Sequence, residues 1–546
     1  MQIIRLLSAD TLIFFNEFDG SVLGLPNEKD NLDRFNFPEM ENQCIYIIEA
    51  APDTSNPLNY DGVEIAIKMY LQAISKNVNH FSIIFVGYED KQSFFQFCSY
   101  SNILKCPGVF YQQIGYDNIQ EYIKQEFKII DLDTAKQSIV YIGIRPPTSY
   151  KSHHSIANEW AILRWAKVLK LDTDNSIQKI QKEVDSSLYY RYLNTIHPIS
   201  DSIDFTNRVL LQTGKILFID DEIEKGWGVI FKKICSNKTL EVFGSEFKDW
   251  PTEKIISESF EKAKNCNIVI LDLRLSDEDF DQVDITKITG YQILKKIKGH
   301  NAGIQVIIFS ASNKTWNLQA LQAEKADGFI IKESPENSVD KKFTSQSISS
   351  IYKSIDICLD YAFVRNFYDK FLILKENLEK RKKDKNLPKE FVDEYLKWLE
   401  FGINNIIKYK SNDGNVLSFI MFFSVLENIS TRLIDVENPE STSESLFKFK
   451  FRRNNNYLKN FEWVSSINSY SKTNYDLVCS RNINWNQKIF NVLDVLGCDI
   501  KNINYLVEKR NDIIHSNPTT GNLIKISNLD LETLFKIITE NIETIS

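Results

Sequence analysis

The sequence predicts an α/β protein with doubly wound parallel sheets that continues into an all-α helical bundle. Three observations predict it. Short apolar runs alternate with helical patterns over residues 1–128 and again over 213–352. In the second stretch the runs end in polar side chains able to do chemistry. From Ser354 onward strand signals thin out and long amphipathic helical patterns take over. Apolar runs without internal alternation are what parallel strands, buried on both faces, look like.

In chain order, residues 1–128 read as one α/β domain. Its runs are 12–15, leading to Asn16 and Glu17; 45–48, leading to Glu49; 82–86, leading to Gly87; and 109–111, leading to Gln112 and Gln113. Asp61 and Gly62 open a helical pattern. Residues 129–212 read as a connector, with a strand at 138–144 broken by Pro146 and Pro147, then amphipathic helices at 156–171 and 177–194. His153, His154 and Glu159 lie close together there, but their spacing matches no metal-ligand set, and an interaction surface or core edge accounts for them.

The domain at 213–352 carries the chemistry. The run 216–219 ends in Asp220, Asp221 and Glu222, and the run 268–271 ends in Asp272. Gly290 opens a helix, 306–309 ends in Ser310, and 328–331 ends in Lys332. In open α/β sheets ligands bind beyond the carboxyl ends of the strands, so these side chains converge on one crevice. A carboxylate attacks an anionic phosphoryl group only when a divalent cation neutralises the oxygens, and Mg²⁺ takes hard oxygen ligands. Asp220 or Asp221, Asp272 and the backbone carbonyl of Arg274 can supply them. Lys332 can pair with the acyl phosphate, and the Ser310 hydroxyl can bond its oxygen. The bland alternative is that the strand-end acids only cap helices.

Over residues 213–335 this pattern resembles the response-regulator receiver family. The resemblance implies Asp272 as phospho-acceptor, Asp220 and Asp221 as the acidic metal pair, Ser310 and Phe329 as switch residues, and Lys332 as the paired lysine. It further implies a histidine kinase or phosphotransfer protein as partner. The chain departs from the family at two places. An acid-rich insertion, 276–289, precedes Gly290, and Glu333 stands where the family has proline, which puts the family's cis-peptide loop in doubt. Residues 1–128 resemble a degenerate receiver, with Glu49 in the acceptor position, no hydroxyl after the fourth run and no lysine after the fifth. Glu49 is then either a permanent acidic mimic or a surface acid.

Composition narrows the rest. The chain has 546 residues, 43% hydrophobic and 25% charged, as globular proteins do. No apolar run approaches the length of a bilayer span, and the N-terminus lacks a secretory layout, so a cytoplasmic protein is expected. The eight cysteines form no Cys-x-x-Cys pair, which argues for a reducing compartment and against structural zinc. A net charge of −8 confines any RNA contact to a local patch. Phe447-Lys448-Phe449-Lys450-Phe451-Arg452-Arg453 is one candidate: bases stack on aromatics while Lys448, Lys450, Arg452 and Arg453 hold the backbone. An ordinary half-buried strand with a solvated basic face fits equally well.

Residues 353–546 read as the bundle, with helices at 356–380, 391–408, 416–433, 485–496, 503–515 and 529–545. Arg510-Asn511-Asp512-Ile513-Ile514-His515 resembles the Arg-x4–6-His signature of the HEPN superfamily, whose members are helical bundles and often metal-independent ribonucleases. The resemblance implies that the 2′-hydroxyl of RNA attacks the adjacent phosphate, with His515 as base or acid, Arg510 stabilising the phosphorane and Asn511 holding the phosphate or orienting His515. Arg510 and His515 are five apart, about 140° around an ideal helix. The family resolves that offset by dimerising. A helix-end histidine and a capping arginine explain the same residues without catalysis. Together these readings predict a cytoplasmic, phosphorylation-controlled homodimeric RNase, by analogy an anti-phage switch, or a non-enzymatic signalling adaptor.

Overall fold

The structure, a computed structural model, describes residues 2–15, 20–25, 36–53, 56, 58–114, 129–146, 153–199, 209–211, 213–235, 239–311, 315–335, 338, 342–383, 388–443, 445–452, 454–515 and 524–540. The chain divides into two compact units. One comprises Met1–Arg208, Glu224–Lys233 and Ile331–Ser350; the other comprises Val209–Ile223, Ile234–Ile330 and Ile351–Ser546.

The first unit holds a parallel sheet of five strands, β1 (Gln2–Leu7), β2 (Ser21–Gly24), β3 (Cys44–Glu49), β4 (Phe81–Gly87) and β5 (Val109–Gln113), in the order β2-β1-β3-β4-β5. Every residue of β3 and β4 is buried, as their unbroken apolar runs require. The run at 12–15 is not a strand. Ser8 caps a helical turn, Ala9–Leu12, that tightens into Ile13–Phe15 and leaves Ile13 and Phe14 exposed. The polar-started segment Gln2–Leu7 takes the place beside β3 instead, because it can pair on both edges.

The connector corrects two further expectations. The apolar stretch at 138–144 is not a strand. Asp131 accepts from the backbone N–H groups of Asp133 and Thr134 and starts a helix, Leu132–Ile139, and Gly143 in the left-handed region (φ +74°) stops the chain after one more turn. Ile139 and Ile142 then bury at helical spacing. The single helix expected at 177–194 is two, Asn175–Ser186 and Leu188–Ile196, separated by Ser187 in extended conformation.

Glu333, the residue found in place of proline, is fully buried in this unit. Arg164 Nε donates to its Oε1 at 2.5 Å, and Ser338 and Thr344 hydroxyls donate to the same oxygen at 2.8 and 3.0 Å. Arg164 lies in the helix His153–Val168 and also donates to the His197 carbonyl at 2.5 Å. Burial pushes the Glu333 carboxyl up and the Arg164 guanidinium down, each opposed by the other's charge. Arg164→Met should therefore cost about 3–5 kcal/mol in urea unfolding, since it strands a buried carboxylate. Arg164→Met with Glu333→Leu should recover most of that loss. A single variant as stable as wild type would show that the pair is not what holds this segment. Among the described residues no peptide bond is cis.

In the second unit, β6 (Lys215–Ile219), β7 (Thr239–Phe243), β8 (Ile268–Leu271), β9 (Gln305–Ser310) and β10 (Gly328–Ile331) form a sheet in the order β10-β9-β8-β6-β7. Read in chain order within each sheet, this is 2-1-3-4-5, the order of the first sheet. The pairs β6–β7, β6–β8 and β8–β9 are parallel. β7 was not anticipated: it is a short edge strand whose apolar Leu240 and Val242 alternate with Thr239 and Glu241.

The helical bundle follows. The helix expected at 356–380 is two, Phe343–Asp360 and Val364–Lys383, with a turn between them. Lys389–Tyr409 and Asn412–Leu433 pack closely, and a Cβ on Gly402 would lie 2.5 Å from the Phe422 ring. Among the described residues Asn412–Leu433 alone is long and apolar enough, by length and composition, to cross a bilayer. Half of that window is buried, and Phe419, Phe422, Leu426 and Ile429 form the centre of the core. Trp485–Val495, Ile500–His515 and Asn528–Glu540 complete the helices.

The bundle also carries an antiparallel insertion that was not expected. β11 (Ile434–Ser443), β12 (Leu446–Phe451) and β15 (Val478–Ser480) form one sheet, and β13 (Lys459–Val464) pairs with β14 (Ser469–Asp476). The alternating aromatic and basic segment is β12. Phe449 and Phe451 are buried in the bundle core and Phe447 packs against it, so these rings offer no stacking platform. The cations are paired: Lys448 with Asp476 at 3.6 Å, Lys450 with Glu440 at 3.2 Å and Arg452 with Glu437 at 4.0 Å. The segment is thus a half-buried strand whose cations lie beside acids; Arg453 lies outside the described residues.

Candidate functional site

The site begins with strand register. β6 and β8 are neighbours, with Ile219 opposite Leu271, so Asp220 and Asp272 emerge side by side at their carboxyl ends. The Asp272 N–H donates to the Ile219 carbonyl at 3.0 Å, which ties the two loops together. This is the point where the strand order reverses, where the doubly wound fold opens a crevice. One carboxylate oxygen from each of Asp220, Asp221 and Asp272 lies within 4.8 Å of the others. Asp220 and Asp272 are fully buried.

Local hydrogen bonds aim these groups. Glu222 N–H donates to Asp220 Oδ1 at 2.8 Å and Leu273 N–H to Asp272 Oδ1 at 2.7 Å. Two glycines let loops close over them. A Cβ on Gly244 (φ +148°) would lie 2.0 Å from the Asp220 carbonyl oxygen, and one on Gly290 2.4 Å from that of Asp272. Three carboxylates so close, two of them out of water, repel one another unless a cation sits among them. All are hard oxygen donors, so the set fits Mg²⁺ better than a softer metal.

Ser310 ends β9 and is 4% exposed; Phe329, in β10, is half-buried. Lys332 follows β10 but belongs to the first unit, where its ammonium lies 5.4 Å from the centre of the Trp227 ring. Arg274 sets its guanidinium 5.7 Å from the Phe280 ring. The acid-rich insertion is a folded loop with short helical turns at Asp277–Phe280 and Ile285–Lys287. Its organiser is buried Asp279, which accepts from the N–H groups of Leu275, Ser276 and Thr289 and from the Thr289 hydroxyl. Sequence reasoning missed Asp279, which looks like any other acid in the run.

The corresponding position in the first unit is closed by its own chain. Glu49, at the end of β3, is 2% exposed, so it is no surface acid. Ser8 N–H donates to its Oε2 at 2.7 Å and the Thr11 hydroxyl to its Oε1 at 2.6 Å. A Cβ on Gly62 would lie 1.8 Å from the Glu49 carbonyl oxygen, the same relation that Gly290 has to Asp272.

In the bundle, Arg510, Asn511 and His515 share the helix Ile500–His515. The Arg510 guanidinium carbon lies 3.8 Å from the centre of the Trp485 ring, and its Nη2 lies 3.6 Å from Glu427 Oε1. Trp485 Nε1 donates to that oxygen at 2.6 Å. Burial pushes the Arg510 pKa down and Glu427 pushes it up. Asn511 Oδ1 sits 3.5 Å from Arg510 Nη1, and His515 is exposed at the helix end. The structure thus gives Arg510 two partners, Trp485 and Glu427, that no local spacing announces, and it sets His515 apart in solvent.

No known protein family matches the sequence, and no curated protein matches it. Among solved structures the chain is similar to NtrX from Brucella abortus in complex with ADP, at 15% identity over 30% of this chain and 35% of that one, with a TM-score of 0.16.

Proposed function

We propose that the chain is a phosphorylation-controlled signalling effector of the cytoplasm. The observation that carries this reading is the convergence of Asp220, Asp221 and Asp272 at the strand-order reversal. Asp272 is the phospho-acceptor. One of its carboxylate oxygens bonds to phosphorus as the bond from phosphorus to a histidine kinase or phosphotransfer protein breaks. Asp220, Asp221, Asp272 and the Arg274 carbonyl would hold Mg²⁺, which neutralises the phosphoryl oxygens. Ser310, Phe329 and Lys332 read the new charge. Domains at 1–128, 129–212, 213–352 and 353–546 divide the labour, the first a receiver-like module that takes no phosphate.

The output is RNA cleavage of the HEPN type, without metal. His515 moves the proton, Arg510 stabilises the phosphorane charge, Asn511 orients, and a homodimer brings two copies of the motif together. Defence against phage suits such a switch by analogy alone. A second reading, a non-enzymatic adaptor, is favoured by the packing of Arg510 between Trp485 and Glu427, which serves the bundle without any substrate. An RNA-cleavage assay of wild type against His515→Ala, with and without a phosphoryl donor, decides between them.

A further inference from the structure

The α/β module and the helical bundle of the second unit meet at a buried group of charges. Asp327, one residue before β10, accepts from Lys298 Nζ at 2.5 Å and from Lys410 Nζ at 2.5 Å. Lys298 comes from the helix Thr289–His300 of the α/β module, and Lys410 ends the bundle helix Lys389–Tyr409. The side chains of Asp327, Lys298 and Lys410 are 1%, 3% and 11% exposed. Lys298 spends its remaining protons on the carbonyls of Ala302 and Ile304, so it is fully used. Lys410 faces a cleft of about 790 Å³ whose lining includes Lys325, Asp327, Ile357, Lys408 and Tyr409.

Two features mark the cleft as built for charge. Lys325 and Lys408 are exposed at it, and Asp327 is already shared by Lys298 and Lys410, so the cleft carries net positive charge. Moreover, Lys325 (φ +64°) and Lys410 (φ +37°) both occupy left-handed backbone, where glycine or asparagine is the easier residue. Both residues line this one cleft, and Lys410 holds Asp327 and the Ile407 carbonyl from there. The volume lies within the range of small-molecule sites.

We propose that this cleft binds a small molecule bearing a phosphate group, the phosphate against Lys325, Lys408 and Lys410 and an apolar or planar body against Tyr409 and Ile357. A phosphate monoester carries about −1.5 to −2 charge at neutral pH, opposite in sign to the cleft. Because Lys325 belongs to the α/β module and Lys408 and Lys410 to the bundle, the ligand fastens one to the other.

The test is thermal melting and calorimetric titration of the full chain with inorganic phosphate and with adenosine monophosphate, in the absence of Mg²⁺. Both should raise the melting temperature, the nucleotide more strongly, in wild type and equally in Asp272→Asn. Lys325→Glu with Lys408→Glu should melt like wild type without ligand and bind at least on the order of ten-fold more weakly, since two charge-assisted contacts are lost. No response to either probe at millimolar concentration overturns the proposal. So does a response that the double variant keeps, or one that Asp272→Asn removes, which would place the anion among the carboxylates instead.

Discussion

Asp272→Asn protein, given a small phosphoryl donor and Mg²⁺, should take up no phosphate, whereas wild type should form an acyl phosphate that survives acid and is lost in base. The amide is nearly isosteric, so the sheet and the hydrogen bond from the Leu273 N–H persist while the nucleophilic oxygen is lost. Chelation should abolish labelling of wild type as well, because buried like charges this close cannot approach a phosphoryl group unneutralised. Lys332→Ala should leave the label and break the response to it. Glu49 should carry none, since both its oxygens already accept hydrogen bonds inside the fold. Label that persists in Asp272→Asn would remove the acceptor assignment outright.

Arg510→Ala and His515→Ala should each slow RNA cleavage by about 10²-fold or more, the scale for losing a general acid–base or a charge stabiliser. Cleavage should survive EDTA and leave 2′,3′-cyclic phosphate ends, and Asn511→Ala should lose less. The two main variants are not equally clean. Arg510 packs on Trp485, so its removal also loosens the bundle, and unfolding must be measured alongside. His515 is exposed at a helix end, and its loss should leave stability unchanged. Mixing Arg510→Ala chains with His515→Ala chains should restore part of the activity, if one interface carries an intact arginine and an intact histidine. A stable dimer that cuts no RNA in either phosphorylation state would establish the adaptor reading.

Much of the candidate site was legible in sequence for a simple reason. A parallel strand buried on both faces must be an unbroken apolar run, and the residue after it must be where the chain leaves the sheet. The runs before Asp220 and Asp272 therefore announced both the strands and the acids that cluster at their ends. The run at 12–15 followed the same rule and misled, because Ser8 caps a helical turn there. Likewise Asp131 and Gly143 turned 138–144 into helix, since a cap and a stop outweigh a short apolar stretch.

The sequence by itself determined the alternation of strand and helix, the order of strand-end residues and the change to long helices. Only the tertiary structure decided which charges are buried and with whom: Glu333 with Arg164, Asp327 with Lys298 and Lys410, Glu49 with Ser8 and Thr11, Arg510 with Trp485 and Glu427. It likewise decided that the rings of β12 face the core. Local structure follows from neighbours within one turn or one pleat, which periodicity records. The partner of a buried charge comes from a distant part of the chain and is fixed only when packing removes water from both groups.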